Sequence, residues 1–182
     1  MNWQLLIWIG VPVIAVLLLI RFIWRTYNEL TWHQVKADKI MGNLNAVLKK
    51  KFDMIPVLIE VVKGYAKHES STFTEVTKLR SQWGETKSAE EKIKTANMLE
   101  SALSKLLIVQ ERYPQLKANR NFQSIQHNIS SVEAQVLNER KYYNEMVRRY
   151  NVRVRLFPRN IIAKIFGFKE REFFSNDNPG VC

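Results

Sequence analysis

One cysteine, at position 182, is the only thiol in this 182-residue chain. That excludes an internal disulfide and a thiolate-rich zinc site. Charge is missing altogether from residues 1–20, which hold no Asp, Glu, Lys, Arg or His. Helix breakers are scarce further on: residues 25–157 contain only Pro56 and Pro114, with Gly42, Gly64 and Gly84. So few interruptions exclude many short strands and argue for a few long helices. Also absent are H-x-x-x-H, C-x-x-C, a glycine-rich phosphate loop and G-x-S-x-G. Metal, nucleotide and nucleophilic chemistry therefore lack local support, and no catalytic residue, cofactor or metal is expected. His33, His68 and His127 are far apart. A metal site would need His68 to converge in space with Glu60, Glu69 or Glu75, and a solvated or capping histidine is the simpler reading.

What is present first is an apolar run. From Trp3 to Trp24 it is interrupted only by Gln4, Gly10, Pro12 and Arg21. A bilayer core needs about 20 helical residues, so the run is long enough to span. Trp3, Trp8 and Trp24 lie toward its ends, where amphipathic rings favour the headgroup level. Pro12 is tolerable inside a membrane helix. No Lys or Arg precedes the run, whereas Arg21 and Arg25 follow it, a pattern of an uncleaved anchor rather than a signal peptide. With Lys36 and Lys39 they place the N-terminus outside and the body in the cytoplasm. The expected division is a 1–24 anchor, a 25–157 helical bundle and a 158–182 segment ending in a polar tail.

The body has a helical period. Phe122, Ile125, Ile129, Val132, Val136, Tyr143, Val147, Tyr150 and Val154 trace a 3–4 seam in which Glu139/Arg140 fill the one skipped position. Ala96, Leu99, Leu103 and Leu106 repeat the spacing, as do Leu44, Leu48, Phe52, Ile55, Leu58, Val62 and Tyr65, then Phe73, Val76, Leu79 and Trp83. Pro56 predicts a break near Asp53, with Asp53 capping the restarted helix. Trp83-Gly84 reads as a helix end, Ser88 with Glu91 as a capping box, and Tyr113-Pro114 as the next reversal. The expected fold is all-α: an elongated antiparallel bundle of three or four long helices following the anchor.

Several strings carry a family resemblance. They are Tyr27-Asn28-Glu29-Leu30, Asp53-Met54-Ile55-Pro56 and Val62-Lys63-Gly64-Tyr65-Ala66 with His68-Glu69. Tyr113 to Asn119 with Phe122 follow, then Arg140 with Tyr143-Asn144, Val147 and Tyr150-Asn151, and lastly Phe157-Pro158 with Phe166-Gly167-Phe168 and Phe173-Phe174. In this order and spacing the chain resembles the LemA family over nearly its whole length. Phe52 and Val57 depart from the usual pattern and make the Pro56 turn more apolar. The resemblance implies a bacterial N-terminal anchor on an antiparallel helical bundle with no assigned activity. It also implies an association with membrane-embedded proteases, and a related branch in magnetosome membranes.

Three regions are candidates for contact. The Lys63-Gly64-Tyr65 string offers either a partner surface or a close helix approach at Gly64 with Tyr65 packed beside it. Asn144 and Asn151, seven apart, share one stripe and with Arg140, Glu145 and Arg148 are suited either to interhelical bonds that fix register or to a ligand site; Tyr143 and Tyr150 fall in the core. Arg159 to Lys169 mixes Ile161, Ile162, Ile165, Phe166 and Phe168 with Lys164 and Lys169. It either docks on the bundle end or lies as an amphipathic element in the headgroup boundary. The net charge of +11, with clusters at Lys49-Lys50-Lys51 and at Arg148-Arg149 with Arg153 and Arg155, suits an anionic leaflet. No nucleic-acid motif accompanies it, so nucleic acid is not an expected partner.

The functional expectation is a non-enzymatic, single-pass scaffold or adaptor of the bacterial inner membrane. It would act through self-association or a membrane protein partner such as a membrane-embedded protease. The alternative is a membrane-surface organiser that binds anionic lipid through its basic faces and C-terminal segment.

Overall fold

The computed structural model describes residues 3–174, with side chains from residue 8 onward. Helix is the only regular secondary structure among the described residues. The chain is an all-α helical bundle, as its shortage of breakers requires.

Helix α1 (Trp3–Phe52) runs uninterrupted from the apolar run into the amphipathic body. Its fifty residues correspond to about 75 Å of helix. Pro12 lies inside it without ending it. The break falls at Pro56, in the first turn of α2 (Ile55–Lys63). Asp53 does not cap α2: Met54 holds that position, without a side-chain cap bond. The Asp53 carboxylate is drawn instead to Lys49, at 2.5 Å, and Arg80, at 3.3 Å. Arg80 also donates its Nε–H to the Phe52 carbonyl at 3.1 Å, which gives the end of α1 a partner for an orphan carbonyl.

Gly64 ends α2 in helical geometry. A Cβ there would meet only the Val61 carbonyl, at an ordinary 3.5 Å, so no neighbouring helix exploits its smallness. Helices α3 (Ser70–Glu85) and α4 (Ala89–Ile108) form a hairpin through a short link. Ser88 is the N-cap of α4, but its side chain makes no cap bond, and the expected capping box with Glu91 is not formed. The Ser88 carbonyl accepts the Lys92 N–H, and Glu90 and Glu91 place negative charge at the helix start. The single turn α5 (Pro114–Lys117) makes the reversal at Tyr113. Asn119 Oδ1 then accepts the Phe122 N–H at 3.0 Å, capping α6 (Arg120–Arg155). The short α7 (Arg159–Ile165) follows Pro158.

The chain groups into two compact units, one of Met1–Lys39 with Glu145–Arg171 and one of Ile40–Asn144 with Glu172–Cys182. The core of the second is the set of seams read from the sequence: Leu44, Leu48 and Phe52 with Leu58, Val76, Leu99, Leu103 and Val136, all buried. Phe52 and Trp83 meet edge to face at 5.0 Å. In the first unit Leu30 and Ala37 of α1, Val147 and Tyr150 of α6, and Ile162 and Ala163 of α7 are buried. Each fully buried large apolar side chain contributes about 1.5–3 kcal/mol of transfer free energy before entropy is charged against it.

Candidate functional site

Charged residues occupy apolar stripes on three helices. Lys51 lies three residues beyond Leu48 on α1, Glu100 four beyond Ala96 on α4, and Arg140 four beyond Val136 on α6. All three are buried. Lys51 Nζ donates to Glu100 Oε1 at 3.2 Å and also to Glu133. An Arg140 terminal nitrogen donates to Glu100 Oε2 at 2.6 Å. Glu100 therefore bridges two cations, and with Glu133 the four charges cancel. The Arg140 guanidinium also lies 5.1 Å from the centre of the Phe174 ring, while its Nε has no hydrogen-bond partner among the described residues. This corrects the assignment of Lys51 to an exposed basic cluster: Lys49 and Lys50 are exposed, Lys51 is not. Of the pair expected at the skipped seam position, Arg140 fills it as a buried ion. The arrangement locks three helices together.

Asn144 and Asn151 also differ from expectation. In the second unit, Asn144 Nδ2 donates to the Phe174 carbonyl and Asn144 Oδ1 accepts the Phe174 N–H, both at 2.9 Å. The Tyr143 hydroxyl donates to the Glu172 carbonyl at 3.2 Å, and its ring meets the buried Phe174 ring edge to face. In the first unit, Asn151 Nδ2 donates to the Arg171 carbonyl at 2.8 Å and its Oδ1 accepts the Arg171 N–H at 2.9 Å. The Arg171 guanidinium is 5.9 Å from the centre of the Tyr150 ring and 2.7 Å from Asp38. Each amide thus pairs with both backbone groups of one residue, as a neighbouring strand would.

The asparagines clamp the C-terminal segment rather than setting helix register. Helix backbones have already paired their N–H and C=O groups; a segment outside helix has both to offer. Glu145 takes no part: it accepts from Arg148 at 2.9 Å and Arg149 at 2.7 Å. Those hydrogen bonds hold its exposed carboxyl down at about 2.

The Lys63-Gly64-Tyr65 string forms an exposed corner. Tyr65 is not a core residue; its hydroxyl accepts from Asn119 Nδ2 at 2.9 Å. Lys63 Nζ lies 5.9 Å from the centre of the Phe73 ring. Glu69 pairs with Arg112 at 3.1 Å. Two of the recognised strings are thereby tied together at one corner of the second unit.

The first unit holds another cluster. Glu29 accepts from Arg153 at 2.7 Å and Arg159 at 3.2 Å. Burial alone would raise its pKa, but the Arg153 hydrogen bond and the Arg159 charge bring it below the usual carboxylate range. His33 is buried with Nδ1 unpartnered among the described residues, and burial together with Arg153 pushes its imidazole down from 6.5. His68 and His127 are exposed. Among the described residues no three His, Cys, Asp or Glu gather to hold a metal.

The anchor residues Trp8, Pro12, Arg21, Trp24 and Arg25 are exposed; the side chain of Trp3 lies outside the described ones. α7 divides its residues. Ile162 and Ala163 are buried, while Ile161, Ile165, Phe166, Lys164 and Lys169 are exposed. Phe166 and half-buried Phe168 meet Tyr27 edge to face, with ring centres at 5.0 and 5.6 Å. The element both docks and keeps an apolar side uncovered.

These features define an all-α protein whose first helix is long and apolar enough to cross a membrane. The LemA family model matches residues 41–180, and the chain belongs to that family. It is similar to the magnetosome proteins MamQ 1 and MamQ 2 of Paramagnetospirillum magneticum, each 29% identical over 80 residues. It is also similar to the magnetosome protein MamQ of Magnetospirillum gryphiswaldense, 26% identical over 80 residues. Each match covers 44% of this chain and 29% of the relative, so the chain spans under a third of the length of the curated relatives it matches.

Proposed function

We propose that this LemA-family chain is a non-catalytic, single-pass scaffold or adaptor of the bacterial inner membrane, with its bundle on the cytoplasmic side. It works by self-association or by binding a membrane protein, a membrane-embedded protease being one class that fits. The observation that carries this reading is the continuity of α1. The apolar stretch and the first bundle helix are one unbroken element, and the side chains from Trp8 to Ile20 are almost uncovered by the rest of the chain. An unbroken helix joins the apolar stretch to the body with no flexible linker between them. The magnetosome relatives support a membrane setting.

The test is crosslinking of the full-length chain in intact cells at native abundance. The expected result is a homo-oligomeric adduct or an adduct to a membrane protein. Recovery of monomer alone, in membranes and after purification, rejects the reading. Orientation is tested through Cys182, the only thiol: a membrane-impermeant maleimide labels it only after permeabilisation. Labelling of intact cells, or of the periplasm where there is an outer membrane, overturns the cytoplasmic placement.

A further inference from the structure

We propose that α7 and its flank form a second membrane contact, seated in the headgroup boundary of an anionic leaflet beside the point where α1 leaves the bilayer. The inference rests on the membrane-anchor reading above.

Three observations within the first unit carry it. α7 is docked by one side only. Ile162 is 5% exposed, whereas Ile161 is 50% and Ile165, one turn on, is 72% exposed. Residues four apart share a helix face, so the open side of α7 is apolar. Next, that side is continuous with the span. Phe166 stacks edge to face on Tyr27 at 5.0 Å, and with Ile20, Ile23, Trp24, Tyr27 and Asn28 it lines a groove of about 540 Å³. Tyr27 is only three residues beyond Trp24, about 4.5 Å along the helix, so Phe166 lies at the depth where the span meets the headgroups.

Charge is the third observation. Arg21 and Arg25 at the mouth of the span, and Lys164 and Lys169 around α7, are exposed and make no ion pair among the described residues. The nearby acids are already taken: Glu29 by Arg153 and Arg159, Glu170 by Arg155. An uncovered apolar face flanked by unpaired cations, next to a bilayer span, matches the chemistry of an anionic lipid surface.

The experiment uses the full chain in vesicles of phosphatidylcholine, with or without phosphatidylglycerol. In a Cys182→Ser background, single cysteines replace Ile165, Ile14 and, as an aqueous control, Glu90, and each carries an environment-sensitive fluorophore. The expected result is blue-shifted, brightened emission at 165 in the anionic vesicles, with the probe at 90 unchanged. Lys164→Glu with Lys169→Glu returns the 165 signal toward its aqueous value, because each charge changes partitioning roughly five-fold. An aqueous signal at 165 with an apolar signal at 14 overturns this proposal and leaves the anchor standing. Aqueous signals at both positions reject the anchor reading itself. A 165 signal equal in the two vesicle types overturns lipid recognition by charge. One that rises with protein density assigns the face to a second copy and overturns the proposal.

Discussion

The side-chain amide of Asn151 pairs with both backbone polar groups of Arg171, donating to its carbonyl at 2.8 Å and accepting its N–H at 2.9 Å. Asn151 is itself buried. Replacement by alanine removes two hydrogen bonds worth about 0.5–1.5 kcal/mol each and leaves the Arg171 backbone groups without these partners. Asn151→Ala should lower stability by about 1–3 kcal/mol in denaturant unfolding of the full chain. Faster amide exchange should be concentrated at residues 168–172. Uniformly faster exchange along α6, with no added effect there, would assign Asn151 to helix packing instead.

Glu100 is the shared anion of two buried cations. Glu100→Ala should cost about 3–5 kcal/mol, because it leaves the Arg140 guanidinium and the Lys51 ammonium short of their partner. The combined variant Lys51→Met, Glu100→Leu, Arg140→Met should recover most of that loss, since an apolar trio needs no compensation. Urea unfolding of the two variants checks the pair of outcomes. Equal destabilisation in both would mean that the ions matter through shape rather than charge.

His33 makes stability depend on mild acid. Its folded pKa is lowered from 6.5 by burial, with Arg153 reinforcing the shift. As pH falls, the unfolded chain therefore takes up a proton first. The contribution is fully present above pH 6.5 and is lost as pH falls through the unfolded and then the folded value. Melting temperature should decline between neutral pH and the onset of carboxylate protonation. His33→Leu should flatten that decline, whatever it does to the absolute value. An unchanged slope in the variant would remove His33 from the account.

Tyr27 seats the C-terminal element on α1 through edge-to-face contacts with Phe166 and Phe168. Such aromatic pairs are worth about 0.5–1.5 kcal/mol each beyond area burial. Tyr27→Ala should open the 165–168 segment to limited proteolysis, while Tyr27→Phe should retain protection, because the ring rather than the hydroxyl makes the contacts. Cleavage in the Tyr27→Phe variant as fast as in Tyr27→Ala would sink this assignment.

Much of the fold is legible in local pattern. Leu44, Leu48 and Phe52, or Leu99, Leu103 and Leu106, repeat at the helical period, and burial follows wherever that stripe is apolar. Pro56 and Tyr113-Pro114 mark real breaks because a missing N–H acts on its own neighbourhood. The capping details at Asp53 and Ser88 did not follow. Lys49, one turn back on α1, and Arg80, 27 residues away, both pair with the Asp53 carboxylate in place of the cap. Lys51 and Glu100 carried a readable signal as charges set on apolar stripes, yet spacing along one helix names no partner on another. Asn144 and Asn151 stood out by their seven-residue repeat, but their partners lie 30 and 20 residues further along the chain.

By itself, then, the sequence determined an all-α chain, its helix breaks, its apolar stripes and a first helix able to cross a membrane. Those properties depend on residues a few positions apart, where period and backbone chemistry act directly. Tertiary structure decided which charges meet at Glu100, what the two asparagines hold, and which side of α7 remains open. Each of these is a pairing between distant segments, selected by how whole helices come together and by the high cost of leaving a buried polar group unpaired.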